Sequence, residues 1–358
     1  MKYVDEFRDE KLAKNAVRAI EEAARGRGLY RIMEVCGTHT MSIHRYGIKR
    51  MLPESIELTS GPGCPVCVTP TDFIDAAIEI AAIEGVTVAT FGDMLKVPGT
   101  GSSLEQERMA GRDVRVMYST LDALDYAVRN PGKEVVFLGI GFETTAPTVA
   151  SAIIESRKRK IKNFSVLCGH KTMPRALRVL AEDRHTRIDG FILPAHVSAI
   201  IGQSPYLFLA NEFGKNCVIA GFEPLDILQG ILALLEQKKP KVEIQYDRVV
   251  RRAGNRKAQK VIDAVFEQSP SNWRGIGMID ASGLSIRSKY ASFDAERRFK
   301  ITRKISKKRT GCICGAILKG IKIPPDCALY RKRCTPQAPV GPCMVSSEGA
   351  CSAYYKYT

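Results

Sequence analysis

VVFLGIGFETTAPTVASAIIESR, residues 135–157, decides the fold. Its first six residues are a short, wholly apolar run rich in β-branched side chains. Such a run predicts a strand buried on both faces, Val135–Ile140. The turn that follows carries Gly141 and two threonines. Pro147 then opens a stretch of helical character to Arg157, because proline is tolerated in the first turn of a helix and the residues after it are good helix formers. Strand, glycine turn and helix are the unit of a parallel α/β sheet.

The same unit recurs in both directions along the chain. Strands are expected at Arg31–Val35, Ser55–Thr59, Val86–Thr90, Phe164–Leu167, Gly190–Leu193 and Cys217–Ala220. Helices are expected at Asp72–Ile83, Pro174–Glu182 and Leu225–Leu235, with an amphipathic helix over residues 1–27. The pattern also repeats internally. MEVCGTHT (33–40) parallels FLGIGFETT (137–145), LTSGPGCPVCVTP (58–70) parallels VLCGHKTMPRAL (166–177), and VATFGDMLKVPG (88–99) parallels FILPAHVSAIIG (191–202). The expectation is α/β: two similar parallel-sheet domains, residues 1–130 and 131–240, whose strand-end loops face one cleft. Past residue 240 the alternation fades. Residues 241–358 are expected to form a basic linker and a domain organised by its cysteines.

The chain has 358 residues, 45% hydrophobic and 26% charged, which suits a globular protein of two or three domains. No apolar run approaches the roughly 20 residues of a membrane span. Met1–Arg8 is charged and lacks the apolar core of a signal peptide, so a cytoplasmic location is expected. Of the net charge of +16, the segment Arg287–Arg333 carries +12. Its densest run is RRFKITRKISKKR, 297–309. A solvated connector is the simplest reading and a docking site for an acidic partner protein the next. No nucleic-acid-binding motif accompanies it.

Eleven cysteines, an odd number, in a reducing compartment point to metal ligation or redox chemistry rather than disulfides. Six lie at the end: Cys312, Cys314, Cys327, Cys334, Cys343 and Cys351. They are strung on Pro and Gly turns, where little regular structure would hold the chain without thiolate–metal bonds. Single, scattered thiols favour an iron–sulfur cluster over the paired knuckles of zinc. Cys64-Pro-Val-Cys67 precedes a helical stretch. This is a redox-dithiol geometry, with thiol pKa values expected at roughly 3.5–7.5. Half of a zinc knuckle is the other reading. Cys36 and His39, at a strand end, could both face one metal, or Cys36 could be a buried strand-end residue. Cys168 and Cys217 read as core residues, and His44 and His185 as surface or structural. His170, His196, Glu143 and Glu223 follow strands, where a cleft position or a helix N-terminal role is expected. There is no phosphate-binding GxxxxGK[ST] loop, no GxGxxG after a strand, and no Cx3Cx2C.

EVCGTHTMSIHRYGI (34–48), GPGCPVCVTP (61–70), GFETTAP (141–147), PAHVSAIIG (194–202), GFEPLDILQ (221–229) and MVSSEGACSAYYKY (344–357), in this order, resemble the HypD family of hydrogenase maturation proteins. The resemblance implies two related α/β domains and a third holding a [4Fe–4S] cluster. It implies a maturation factor, rather than a conventional turnover enzyme, that helps make the Fe(CN)2CO group of [NiFe]-hydrogenase. It further implies a small HypC-type partner that helps hold iron, a HypE-type cyanide donor, and indirectly the hydrogenase large subunit. By motif, Cys36 is the candidate ligand of that iron with His39 beside it, and Cys64 and Cys67 are the redox pair. Cys314, Cys327, Cys334 and Cys351 are the cluster ligands, with Cys312 and Cys343 in surplus. A stand-alone thiol–disulfide oxidoreductase, an iron–sulfur nucleic-acid-binding protein and a zinc-stapled interaction protein are the competing readings.

Overall fold

The computed structural model describes residues 5–304 and 310–358. The end of the basic run, residues 305–309, and the first four residues of the expected N-terminal helix lie outside them.

Among the described residues eleven strands form three sheets: β1 (Tyr30–Glu34), β2 (Ile56–Ser60), β3 (Val86–Thr90), β4 (Val114–Val116), β5 (Glu134–Gly139), β6 (Phe164–Cys168), β7 (Gly190–Pro194), β8 (Asn216–Ala220), β9 (Val242–Ile244), β10 (Phe266–Trp273) and β11 (Gly277–Ile286). The first sheet runs β2-β1-β7-β8-β9 and the second β4-β3-β5-β6, both parallel throughout. β10 and β11 form an antiparallel hairpin with an irregular register between Ser269 and Ser271. All seven expected strands are present, shifted by a residue or so at their ends. The α/β class therefore stands, with two parallel sheets.

The division of the chain is different from the expected one. A boundary at residue 130 cuts through both sheets. β1 and β2 pair with β7–β9, and the whole second sheet, residues 86–168, is inserted between them. The internal repeat explains the arrangement. Matching β1 to β5, β2 to β6 and β7 to β3 turns the order β2-β1-β7 into β6-β5-β3, the order found in the second sheet. The repeated sequences occupy equivalent positions, but the chain visits them in a permuted order. Local pattern reports the unit and not the pairing partner, so the domain boundary was not in it.

Alternation along each strand divides the core. On β1, Ile32 joins a core with Ile20, Ile227 and Leu234, whereas Met33 and Val35 face the other way. On β5, Val135 and Phe137 pack with Ile153 and Phe164, whereas Val136 and Leu138 face the other way. The inward residues of both sheets join one continuous core, and Trp273, Cys64, Cys67, Cys314 and Cys351 belong to it. Each large side chain removed from water there contributes roughly 1.5–3 kcal/mol.

The hairpin sits where sequence pattern had faded. Its burial is irregular, with polar Glu267 and Gln268 exposed and Phe266 and Trp273 buried, so neither a two-residue nor a helical period shows. It joins the sheets to the tail. The Arg274 amide donates to the Val68 carbonyl (2.9 Å), and Gly275 lies so close to Gly315 that a Cβ on Gly275 would stand 2.6 Å from the Gly315 Cα. The tail is therefore packed into the same core rather than hung from it. Its last helix, Ala350–Tyr357, rests on the helix Gly37–Arg45. Ser346 bonds Asp93 (2.8 Å) on one side and Glu348 bonds Thr38 (2.6 Å) on the other. No described helix is long and apolar enough to cross a membrane.

Candidate metal and redox centre

Cys36 caps the helix Gly37–Arg45 directly after β1, its backbone extended at φ −147° and ψ 126°. Cys64 caps the short helix Pro65–Val68 after the neighbouring strand β2. Two parallel strands with adjacent ends thus deliver two cysteines to one layer. Gly63 permits the approach. Its amide carbonyl accepts from Gly37 N (3.2 Å), and a Cβ at position 63 would stand 2.2 Å from Cys36 N. Only glycine fits there.

Cys36 is buried, and burial pushes its thiol up to about 12, with the Glu348 carboxylate adding to the rise. Amides of Thr38 and His39 act in the opposite sense and do not prevail. Beneath it lies Glu34, fully buried, which accepts from Cys36 N (3.2 Å) and from the Thr40 hydroxyl. Burial raises this carboxyl to about 8, so it is protonated at neutral pH. The tail contributes Glu348, which accepts from Thr38 Oγ1 and whose charge reaches both Cys36 and His196.

His39 is placed otherwise than as an open ligand. It is fully buried, and its Nε2 donates to the carbonyls of Ala220 (3.1 Å) and Gly221 (2.9 Å) at the end of β8. Burial lowers it to about 4, leaving a neutral ring whose Nδ1 has no hydrogen-bond partner among the described residues. Its ring packs 4.8 Å from Phe222, which also stacks on the exposed His196 at 4.1 Å. His196 is thus open to solvent. His170 is not: it is buried against Phe266, 3.6 Å from Cys168 Sγ. Glu223 pairs with Arg8 (2.9 Å) at the start of the helix Pro224–Glu236. Cys217 is a core residue of β8, His44 packs on Tyr354, and exposed His185 bonds Asp183.

Within the dithiol, Cys67 differs from its expected electrostatics. Cys67 is fully buried, and burial first, then the adjoining Cys343 and Cys64 sulfurs, push its pKa up rather than down. A four-residue helix offers too little dipole to outweigh the loss of solvent. The Cys67 amide bonds Cys64 Sγ (3.2 Å), so the two side chains lie on one side of the turn. Cys343 was not expected here. It connects this pair to the tail, because the Cys351 thiol feels Cys343, Cys312, Cys334 and Cys327. Cys312 in turn has Cys314 as its hydrogen-bonding neighbour. All eleven cysteines are free thiols. The gathered thiols are donors of the right chemistry for an iron–sulfur group, although no three metal-binding side chains stand at coordination spacing among the described residues. Glu348 lies in the quoted tail motif without a role expected of it, and Cys343 reads there only as a surplus cysteine, since about three hundred residues separate them from Cys36 and Cys67.

Residues 11–358 match the model of the HypD family, described as "Hydrogenase formation hypA family". The chain is 48% identical to the hydrogenase maturation factor HypD of Rhodobacter capsulatus, covering 100% of this chain and 98% of the relative. It is 47% identical to HypD of Cupriavidus necator, with 100% and 97% covered, and 44% identical to HypD of Escherichia coli K12, with 100% and 98% covered. The full-length match carries every cysteine-bearing loop described above, and the chain belongs to the HypD family of hydrogenase maturation factors.

Proposed function

We propose that this chain is a metallocofactor assembly scaffold. With a small HypC-type partner it holds an iron ion while cyanide, brought by a HypE-type donor, and CO are attached. The product is the Fe(CN)2CO group of the [NiFe]-hydrogenase large subunit. The observation that carries the reading is the single layer formed by Cys36, Glu348, the Cys64–Cys67 pair and Cys343.

In this reading the Cys36 sulfur binds the iron, since soft thiolate suits iron carrying strong-field ligands. A thiol held near 12 gives up its proton only to a strong Lewis acid, which keeps Cys36 inert until iron arrives. Glu348, whose charge acts on this thiol, is the base at hand for the departing proton. His39 holds the end of β8 against the Cys36 helix and orients rather than ligates. Cys64 and Cys67 pass between dithiol and disulfide, releasing or taking two electrons and two protons. A [4Fe–4S] cluster, held by Cys327, Cys334, Cys351 and Cys314, would supply electrons one at a time. Cys343 neighbours Cys67 and acts on the Cys351 thiol. A stand-alone oxidoreductase is disfavoured because Cys67 is closed to a bulky disulfide substrate.

The test is anaerobic co-purification with the HypC-type partner, followed by infrared spectroscopy. Cyanide and CO stretching bands are expected from the wild-type complex and none from Cys36→Ala. Full bands from Cys36→Ala would place the iron elsewhere.

A further inference from the structure

A recess lies at the edge of the second sheet, at the N-terminal end of the edge strand β6 and away from the cysteine layer. It encloses about 820 Å³ and is lined by Arg157, Lys160, Lys162, Lys289, Arg297 and Arg298. No acidic side chain lines it among the described residues. These cations come from three separate segments: the end of the helix Ala146–Lys158, the turn before β6, and residues 289–298. Basic residues in the last turn of one helix would be explained by its dipole. Convergence of three segments on one concavity would not.

Two of the six cations are already engaged. Arg298 pairs with Glu134 (2.7 Å) and Arg297 with Asp294 (3.4 Å). Arg157 and Lys289 cover Tyr290, at 5.2 and 5.4 Å from the ring centre. Lys160 and Lys162 are exposed. Lys160 adopts φ 58°, a left-handed position that glycine usually fills after a helix. Like charges held together in this way repel, and a bound anion relieves that repulsion.

We propose that this recess docks a carboxylate-rich segment of a partner protein. An acidic peptide is favoured over nucleic acid by the aromatic residues. Tyr290 and Phe293 are buried, and the Tyr290 ring is covered by cations, so no face is free to stack a base. The volume accommodates a few side chains, and the guanidinium forks match carboxylates. The proposal is independent of how the iron is held.

The test uses the full chain and a short fluorescein-labelled oligoglutamate peptide, with fluorescein-labelled oligothymidylate of matching charge as competitor class. Wild type should bind the peptide, more weakly as salt rises. The variant Lys160→Gln/Lys162→Gln/Lys289→Gln should bind it roughly tenfold more weakly. The control Lys238→Gln/Lys239→Gln/Lys257→Gln, which removes the same charge from exposed sites elsewhere, should bind as wild type does. Carbodiimide cross-links from peptide to wild type should map to Lys160, Lys162 or Lys289, which holds even where the variant fails to fold. Equal weakening in both variants, cross-links elsewhere, or no peptide binding by wild type would overturn the proposal. So would a loss confined to oligothymidylate, which would make this a nucleic-acid site.

Discussion

Glu348 accepts a 2.6 Å hydrogen bond from Thr38 Oγ1, and this one contact sets a carboxylate from the tail over the helix end that Cys36 caps. The negative charge opposes formation of a second one on sulfur, and Glu348 is the largest cause after burial of the raised Cys36 pKa. Replacing it with the isosteric, neutral Gln keeps an acceptor for Thr38 and removes the charge. Glu348→Gln should therefore raise the thiolate fraction of Cys36, and its alkylation by iodoacetamide at pH 8 should quicken by about tenfold. Peptide mass spectrometry of timed samples measures this residue alone. An unchanged rate would mean that burial by itself controls the thiol.

Cys64 and Cys67 should close a disulfide under mild oxidation. The Cys67 amide already bonds Cys64 Sγ at 3.2 Å, so the turn needs little adjustment. Burial raises the pKa of the Cys67 thiol and slows attack by outside reagents there, because the thiolate is the reactive form. The expected result is a slow but complete loss of both alkylatable thiols together, read by differential labelling. Cys343→Ala should speed the loss at Cys67, since the Cys343 sulfur helps to hold that thiol's pKa up. Persistent free thiols at both positions would refute a redox role.

Cluster content should separate the six tail cysteines. Anaerobic wild-type protein is expected to hold about four iron and four sulfide per chain. Cys327→Ala, Cys334→Ala and Cys351→Ala should each lose it. Cys343→Ala should not, since that sulfur is directed to Cys67. Cys312 and Cys314 are hydrogen-bonding neighbours, so the comparison of Cys314→Ala with Cys312→Ala decides which is the fourth ligand. Stoichiometric zinc without sulfide would contradict the assignment at once.

Much of the sheet structure could be read because parallel strands, buried on both faces, are continuous apolar runs bounded by glycine. Val135–Ile140 and Val86–Thr90 are such runs. The hairpin Phe266–Ile286 could not, since its strands carry exposed polar residues between a few anchors such as Trp273. The candidate site was legible where motif and geometry coincide, as at Cys36, Cys64 and Cys67. It was illegible where the contact is long-range. Glu348 on Thr38 and Cys343 on Cys67 join opposite ends of the chain, and no local pattern encodes a partner at that distance. The raised pKa of Cys67 is illegible for a related reason: spacing reveals the turn, whereas burial depends on what the tail lays over it.

The contribution of Glu143 to stability should be lost as the pH rises toward neutrality, against the opposite trend of the buried histidines and Lys171. The side chain is buried after β5, with Oε1 accepting from Met173 N (3.0 Å) and Oε2 without a partner among the described residues. Burial raises it to about 7, from an ordinary 4.5. The folded state thus binds the proton more tightly than the unfolded state does. Its contribution is fully present below about pH 4.5 and is lost as the pH rises through 7, where the unfolded chain ionises freely and the folded one pays desolvation. At about 1.4 kcal/mol per unit, the loss is on the order of 3 kcal/mol. Glu143→Gln preserves the acceptor for Met173 and cannot ionise. The difference in Tm between wild type and Glu143→Gln should therefore be small at pH 5 and should grow in favour of the variant to a plateau above pH 8. Glu34, the histidines and Lys171 also titrate across this range, but they do so in both proteins and cancel in the difference. A difference that stays flat across this range would mean that Glu143 reaches water or a partner when folded and that its carboxyl is not raised.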